Sequence, residues 1–320
     1  MTQRKVTLTR TEDYEPRRIH DALLRHIKLL GGLSRFVSPA DKVLIKPNFI
    51  APRSSRHATQ THPQVVIELA RILKDFGARP FVGDSPAWGS VFGCVNALKL
   101  EEPLKKLSVP VKQLNKPRKC RIEANNTAVG ISSVALDADV IINLAKFKSH
   151  QQLVATFAVK NMFGCVSGKK KAYWHFARGG NYESFCRFLI GIYNYLSPAF
   201  TIIDAVTAMD GPGPILGRAR HLGYIIGGTE PISCETVCCR LINLRPESVP
   251  MIKTARRMGF GCSELDKIEI ACDGLVETGC DDFVLPKLIP IRFSFLHVCK
   301  SVCKQIYLLV KSALRRYNRR

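Results

Sequence analysis

The feature that most constrains this chain is the apolar run VIINL at residues 140–144, together with the residues that follow it. The run has the length of a buried β-strand. The stretch after it concentrates ammonium, amide and imidazole groups: Lys146, Lys148, His150, Lys160, Asn161, Lys169, Lys170, Lys171 and His175. In α/β proteins, ligands bind at the carboxyl ends of parallel strands. This stretch therefore predicts an anion-binding site at one edge of a parallel sheet.

Three further apolar runs lead into polar residues in the same way. They are DKVLIK (41–46) before Pro47-Asn48, RPFV (79–82) before Gly83-Asp84-Ser85, and AFTII (199–203) before Asp204. Between the first two, a helical pattern opens at Pro63 and ends at Gly77, which makes a strand–helix–strand unit. Since such units place their strands in parallel, we expect these polar residues to meet at one edge of the sheet.

The remaining periodicity completes an α/β fold. It predicts helices at 14–30, 91–107, 182–196, 231–241 and 249–258, an edge strand at 5–9, and strands at 222–226 and 268–271. We expect two lobes with mostly parallel sheets flanked by helices, formed by residues 1–284, with the boundary between the lobes near residues 135–145. A cleft between the lobes would hold the site.

Residues 285–320 form a distinct basic tail in which no acidic residue occurs. Its apolar residues recur at three- and four-residue steps: Phe293, Leu296, Cys299, Cys303, Ile306, Val310 and Leu314. This spacing predicts a C-terminal basic amphipathic helix. Two placements stay open: the helix lies on an anionic membrane surface, or it packs against the body of the protein.

The charge balance points to anionic partners. The chain has 48 basic and 26 acidic residues, a net charge of +22, and such an excess favours anions. Nucleic acid ranks last among them, because the sequence has no helix-turn-helix, RNP or zinc-finger pattern. The N-terminal segment MTQRKVTLTR lacks a signal peptide's apolar core, and no apolar run reaches the roughly 18 residues of a membrane span. We therefore expect a cytoplasmic protein, peripheral to the inner face of the membrane where the tail meets lipid.

The twelve cysteines do not have the spacing of a common metal site. Cys234, Cys238 and Cys239 give C-x3-C-C, whereas ferredoxin-type clusters and zinc knuckles use C-x2-C pairs. Without an export signal, we expect mostly free thiols in a reducing compartment. The sequence thus contains no ferredoxin-type cysteine motif. It leaves the cofactor undefined, with a divalent metal on carboxylates as one candidate.

The polar residues that follow the strands are assigned to three roles. Catalytic roles are predicted for Lys148, His150 and His175, because an imidazole beside ammonium groups tends to stay neutral and can act as an acid or base. Substrate-binding roles are predicted for Lys46, Asn48, Thr61, His62, Lys160, Asn161, Gly211 and Gly213. Asp84 and Asp204 are candidates to hold a divalent metal through oxygen. A purely structural alternative stays open for some of these residues. Thr61 and Asp84 are also suited to cap helices, and the glycine-rich loop after Asp204 is also typical of a turn.

Together these motifs resemble the domain of unknown function 362 family. They are KPN (46–48), T-x-P (61–63), GDS (83–85), NLAKFKSH (143–150), VKNMFG (159–164), His175, and IIDAVTAMDGPGP (202–214) with Gly217. The resemblance covers residues 43–241 and implies an α/β architecture rather than a defined activity. Glu230 and Glu235 stand where the family usually has aspartates. A weaker similarity is to the nickel-pincer lactate racemase.

Two functions are compatible with these observations. The residues predict an enzyme that acts on a small anionic carboxylate or phosphate in a cleft lined by lysine, histidine and aspartate. The resemblance implies an alternative, because many relatives carry a ferredoxin-like iron–sulfur module. In that case the chain is an accessory protein that handles metal or iron–sulfur clusters, or passes electrons to a ferredoxin-like partner.

Overall fold

The computed structural model describes residues 4–122, 126–167, 170–272 and 280–291. The strands are β1 Lys5–Arg10, β2 Lys42–Pro47, β3 Arg79–Asp84, β4 Val111–Gln113, β5 Pro117–Ile122, β6 Thr127–Ser132, β7 Val140–His150, β8 Val154–Thr156, β9 Phe200–Asp210, β10 Arg218–Gly228 and β11 Glu269–Cys272. The helices are α1 Pro16–Leu29, α2 Pro63–Asp75, α3 Val91–Ala97, α4 Glu101–Lys106, α5 Ser133–Leu136, α6 Lys170–Arg178, α7 Tyr182–Leu196, α8 Pro231–Arg240 and α9 Pro250–Met258. A 3-10 helix covers Val159–Cys165.

One mixed sheet organises the described chain. Its strand order is β11-β1-β10-β9-β7-β2-β3-β4, and β8 pairs with the end of β7. The strands β4, β3, β2, β7 and β9 run parallel, as do β1 and β11, whereas β10 is antiparallel to both β9 and β1. The predicted α/β class, with a mostly parallel sheet flanked by helices, is confirmed. The prediction that residues 5–9 form an edge strand is wrong, because β11 pairs outside β1.

Helices cover both faces of the sheet, and successive strand residues bury their side chains on opposite faces. On β2, Val43 and Ile45 join the apolar cluster of α1 to α4, while Leu44 joins the cluster of α7 to α9. The predicted lobe boundary falls just before β7, which is hydrogen-bonded to β2 on one side and to β9 on the other. The division into two lobes stays a prediction.

The three central strands near the site run longer than the sequence predicts. The prediction ends the central strand at Leu144, but β7 continues to His150, and β9 and β10 extend in the same manner. The cause is that Lys146 and Lys148 are buried within the strand, whereas sequence reasoning takes a lysine as a strand end. The helix predicted over 91–107 is two helices, because Lys99 adopts a left-handed conformation (φ 56°) between them.

Residues 280–291, called here the C-terminal strap, cross the sheet edge without forming a regular helix or strand. The carbonyl of Val284 accepts from Gly211 N–H at 2.7 Å, and Ile289 N–H donates to the carbonyl of Gln151 at 2.8 Å. The predicted amphipathic helix begins beyond the strap, outside the described residues. Among the helices that the structure describes, none is long and apolar enough to cross a membrane.

Helix α8 begins at Glu230, whose carboxylate caps it. The carboxylate accepts hydrogen bonds from the backbone N–H groups of Ile232 and Ser233, both at 2.8 Å, and from that of Cys262 at 3.0 Å. One residue therefore satisfies two N–H groups that a helix start leaves open and also fixes the loop after α9.

Replacing Glu230 with Ala should destabilise the protein by about 2–3 kcal/mol, because several N–H groups lose their acceptor at once. Urea unfolding at neutral pH measures this loss. Glu15→Ala is the matched control, since Glu15 also precedes a helix that starts at proline but accepts only from Arg18 N–H at an exposed site. Equal losses for the two variants would contradict the prediction.

Candidate functional site

Two ion pairs join neighbouring parallel strands, the first at the carboxyl ends of its strands and the second within its strands. Lys46 Nζ of β2 lies 2.9 Å from Asp84 Oδ1 of β3, and Lys146 Nζ of β7 lies 2.7 Å from Asp204 Oδ2 of β9. All four side chains are buried. A buried ammonium ion is tolerated where a carboxylate and further hydrogen bonds compensate it. Each pair therefore depends on its two strands being adjacent.

Tyr14, which precedes α1, and His62, which precedes α2, both form hydrogen bonds to the Lys146–Asp204 ion pair. The Tyr14 hydroxyl donates to Asp204 Oδ1 at 2.8 Å and accepts from Lys146 Nζ at 3.1 Å. His62 N–H donates to Asp204 Oδ2 at 2.9 Å, and its ring stacks on Tyr14 with 3.5 Å between centroids. Burial lowers the pKa of His62 to about 4, so this imidazole is neutral.

Three asparagines connect the strand ends to the 3-10 helix. Asn161 Nδ2 donates to the carbonyl of Lys46 at 3.0 Å and to Asn143 Oδ1 at 2.8 Å. Asn161 Oδ1 accepts from Asn48 Nδ2 at 2.8 Å. The start of the same 3-10 helix is held by Glu235, whose Oε1 accepts from Val159 N–H at 2.8 Å. Burial raises the pKa of Glu235 to about 8.

Lys148 differs from the two paired lysines because its contacts are neutral. Its Nζ donates to Asn48 Oδ1 at 2.5 Å and to the carbonyl of Thr59 at 3.0 Å. It makes no ion pair with a described residue. Burial lowers the pKa of Lys148 to about 7, and the nearby Lys160 lowers it further.

A cleft of about 90 Å³ opens between these groups. Its polar lining includes Lys46, Asp84, Lys148, His150, Lys160 and Lys171, and its apolar lining includes Phe49, Ile50, Phe157 and Phe163. Among the described lining residues, Asp84 is the one carboxylate, and it is already paired with Lys46. The cleft thus also carries the ammonium groups of Lys148, Lys160 and Lys171, none of which forms an ion pair with a carboxylate among the described residues, although the charge of Asp84 attracts Lys148 and Lys171.

Burial lowers the pKa values of the basic side chains that line the cleft and so favours their neutral forms. It lowers the pKa of Lys160 to about 8 and that of Lys171 to about 8. It lowers the pKa of His150 well below the ordinary imidazole value. Gln152 N–H donates to His150 Nδ1 at 3.1 Å, which places the ring proton of the neutral imidazole on Nε2. His150 is therefore a hydrogen-bond donor through Nε2.

The cleft brings together six of the predicted catalytic and substrate-binding residues and one of the two aspartates. They are Lys46, Asn48, Lys148, His150, Lys160 and Asn161, together with Asp84. These residues come from strand ends that the sequence places in different segments, so their convergence is a property of the parallel sheet. Their chemical roles stay predictions.

The other predicted residues lie around the cleft rather than in its described lining. Thr61 Oγ1 donates to the carbonyl of Leu144 and accepts from Asn48 N–H, which anchors the loop before α2. His175 packs between the rings of Phe163 and Phe185, and burial lowers its pKa to about 3.

Gly211 and Gly213 belong to the loop between β9 and β10. A Cβ at Gly213 would lie 2.1 Å from the carbonyl oxygen of Ser149, so the loop packs directly on the end of β7. Its next residue, Pro214, lines the cleft. The two glycines therefore shape the cleft wall through their backbone.

The carboxylates and thiols do not converge on a cation site within the described residues. Asp84 and Asp204 each face a lysine ammonium, which occupies the side where a metal would bind. The structure describes no group of three or more His, Cys, Asp or Glu side chains arranged to hold a metal. Cys234 and Cys238 are buried in α8, and burial raises the pKa of both thiols well above the usual value.

Sequence reasoning missed four groups that complete the site. Lys146 and Tyr14 neutralise Asp204, Asn143 orients Asn161, and Lys171 adds a charge to the cleft. Lys146 and Lys171 were visible as members of the lysine-rich stretch. No local signal marks Tyr14, which lies far from Asp204 in sequence and reaches it because β1, just before Tyr14, pairs with β10, and β10 pairs with β9.

Comparison with known proteins gives a family and one full-length relative. The family model "Domain of unknown function (DUF362)" matches residues 43–240. The chain is 32% identical over 316 residues to a thylakoid-associated protein of Synechocystis sp., covering 98% of each chain. The family resemblance drawn from the motifs is thereby confirmed.

Two solved structures match parts of the fold. The lactate racemase apoprotein from Thermoanaerobacterium thermosaccharolyticum aligns at TM-score 0.45 and 14% identity, covering 67% of this chain and 54% of that one. A protein from Thermotoga maritima aligns at TM-score 0.41 and 14% identity, covering 72% and 59%. This chain thus spans little more than half the length of either structure.

Replacing Gly164 with Ala should disrupt the Lys46–Asp84 pair. A Cβ there would lie 2.5 Å from Asp84 Oδ1 and 2.7 Å from Lys46 Nζ. We expect a loss of about 2–4 kcal/mol in the free energy of unfolding, from overpacking and from separation of a buried pair. The control is Gly180→Ala, where no atom lies within 4 Å of the new Cβ. A Gly164→Ala protein as stable as the control would refute the prediction.

Proposed function

The chain belongs to the DUF362 family, and from its site we propose that it binds a small carboxylate or phosphate anion in the cleft and acts on that anion as an enzyme. The observation that carries the proposal is the set of three buried or half-buried ammonium groups, Lys148, Lys160 and Lys171, which face one cleft and form no ion pair with a carboxylate among the described residues. A buried charge without a counter-ion is unfavourable, and a bound anion supplies that counter-ion.

The chemistry that the cleft offers is acid–base chemistry near neutral pH. A lysine whose pKa is about 7 can take up or release a proton at physiological pH. His150 donates a hydrogen bond from Nε2 and polarises an oxygen of the bound anion. The fixed asparagines hold the strand ends, so these groups are positioned before the ligand arrives. No cysteine grouping among the described residues favours the iron–sulfur alternative, and a ferredoxin-like partner stays a prediction.

We further propose that the chain associates peripherally with an anionic membrane surface, on the cytoplasmic side. The supporting observation lies on the C-terminal strap, where Val284, Leu285, Leu288 and Ile289 are each more than 40% exposed. They directly precede the basic sequence of residues 292–320. Apolar side chains beside basic residues match the interface of an anionic bilayer. The name of the thylakoid-associated relative agrees with a membrane location.

Affinity for a divalent anion should fall as pH rises. The pKa values of Lys148, Lys160 and Lys171 are about 7, 8 and 8. Since the protonated lysines bind the anion, binding is strongest at a pH below these pKa values and is lost as pH rises through them. At a pH near these pKa values, binding of the anion is accompanied by uptake of protons. Calorimetric titration with sulfate, which stays a dianion throughout, should show affinity falling about tenfold or more between pH of roughly 6.5 and 9.

The matched control for this titration is a pair of exposed lysines. Lys160→Ala/Lys171→Ala should abolish sulfate binding, whereas Lys105→Ala/Lys106→Ala on exposed α4 should bind as the parent does. A sulfate affinity independent of pH, or equally reduced in both double variants, would exclude the cleft as the anion site.

Substitution of the exposed strap leucines should weaken membrane binding. Leu285→Gln/Leu288→Gln removes apolar area that would enter the interface, so co-sedimentation with phosphatidylglycerol vesicles should fall by about tenfold or more. Leu24→Gln on α1, a comparably exposed leucine, is the control and should have no effect. Equal binding to phosphatidylcholine vesicles, or no binding by the parent protein, would overturn the proposal.

A further inference from the structure

We propose that Lys148 is a nucleophile that forms an imine with the carbonyl carbon of a small oxo-acid. The inference deepens the proposed function and rests on it, because it assigns the bound anion to one chemical class. An oxo-acid carries a carboxylate, which Lys160 and Lys171 attract, and a carbonyl group that an amine can attack. The inference depends on how Lys148 is held.

The buried lysines at the strand ends fall into two kinds. Lys46 and Lys146 each face an aspartate, at 2.9 Å and 2.7 Å, which stabilises the ammonium form. Lys148 is as well buried, being 4% exposed, yet its two hydrogen-bond partners are an amide and a backbone carbonyl. The surroundings of Lys148 therefore give it a larger fraction of neutral amine than the other two, whose aspartates favour the ion.

The orientation of the amide that holds Lys148 is determined by the asparagine network. Asn143 Nδ2 donates to the carbonyl of Ala158, so Asn143 Oδ1 is the acceptor for Asn161 Nδ2. Asn161 Oδ1 then accepts from Asn48 Nδ2, which leaves Asn48 Oδ1 for Lys148. Only one assignment of donors and acceptors satisfies this chain of hydrogen bonds, and in it Lys148 Nζ donates to Asn48 Oδ1.

Two acceptors account for both N–H groups of a neutral amine. With Asn48 Oδ1 and the carbonyl of Thr59 occupied, the third position of Nζ holds the lone pair. Lys148 lines the cleft, so the position that is free of these two acceptors is the one left for a ligand.

The charged groups around Lys148 act in the same direction. Lys160, Lys146 and Lys46 disfavour a further positive charge, and Asp84, which is paired with Lys46, opposes them with an effect smaller than that of Lys160 or Lys146. Burial is the largest effect and lowers the pKa of Lys148 to about 7. Desolvation beside other cations is the means by which proteins generate nucleophilic lysines.

The covalent step balances without an oxidant or a reductant. The lone pair of Lys148 Nζ attacks the carbonyl carbon, the C–N bond forms, and the carbonyl π pair moves to oxygen, which His150 Nε2–H polarises. The oxygen takes up a proton and the nitrogen loses one. A second proton, from solvent, lets the hydroxyl leave as water while the nitrogen lone pair forms C=N. The sum is amine, carbonyl compound and one proton giving protonated imine and water.

The experiment is reductive trapping in the parent protein. The protein is incubated with pyruvate and sodium cyanoborohydride at neutral pH, digested, and mapped by mass spectrometry. Because an ordinary lysine is protonated at this pH, its neutral fraction is smaller than that of Lys148 by roughly a thousandfold. We expect the reduced adduct at Lys148, at more than about ten times the level on any exposed lysine such as Lys119.

Several outcomes separate this inference from the proposed function. Concentration of the adduct at Lys148 in the parent protein, together with its loss from the Lys148→Arg protein, supports the nucleophile. An adduct spread over surface lysines, or none on Lys148 while sulfate still binds in the cleft, overturns the imine and leaves the anion site intact. Failure of sulfate and pyruvate alike to bind would overturn both. Since the mapping uses the unaltered protein, a folding defect of the variant does not affect the result.

Discussion

The constraint on which the site depends is the need of Lys46 and Lys146 for a carboxylate partner on the next strand. Both leave water only because Asp84 and Asp204 lie on the adjacent parallel strands. An unpaired ion at either position would cost several kcal/mol. The strand order β9-β7-β2-β3 therefore places one ion pair on each side of the β7–β2 boundary, and the cleft opens where the third lysine, Lys148, has no such partner.

Much of the cleft could be predicted from the sequence because parallel strands end at one edge. Lys46, Asn48, Lys148 and His150 follow apolar runs, and a run followed by a polar group is a local signal. The pairing of lysines with aspartates was not predictable in the same way. It depends on which strands are neighbours. No sequence pattern around Lys146 or Asp204 indicates that β7 pairs with β9 and brings the two residues together.

The boundaries of the elements were misjudged for the same physical reason. Lysines are usually exposed to solvent, so the sequence predicts that the strand ends before Lys146. In the structure β7 continues to His150, because hydrogen-bond partners inside the protein replace water around Lys146 and Lys148. A catalytic role is predicted for His175 from its place after the lysine run. Its ring is packed between Phe163 and Phe185, and burial lowers its pKa to about 3. The catalytic role stays a prediction.

The C-terminal strap connects the cleft wall to the basic tail. Gln152, two residues beyond His150, donates to the carbonyls of Pro290 and Ile291 at 3.1 and 3.0 Å. His175, on the helix that also carries Lys171, is hydrogen-bonded to the backbone of Ile291. The segment that follows β7 and the helix that carries Lys171 are thus both tied to the last described residues before the tail.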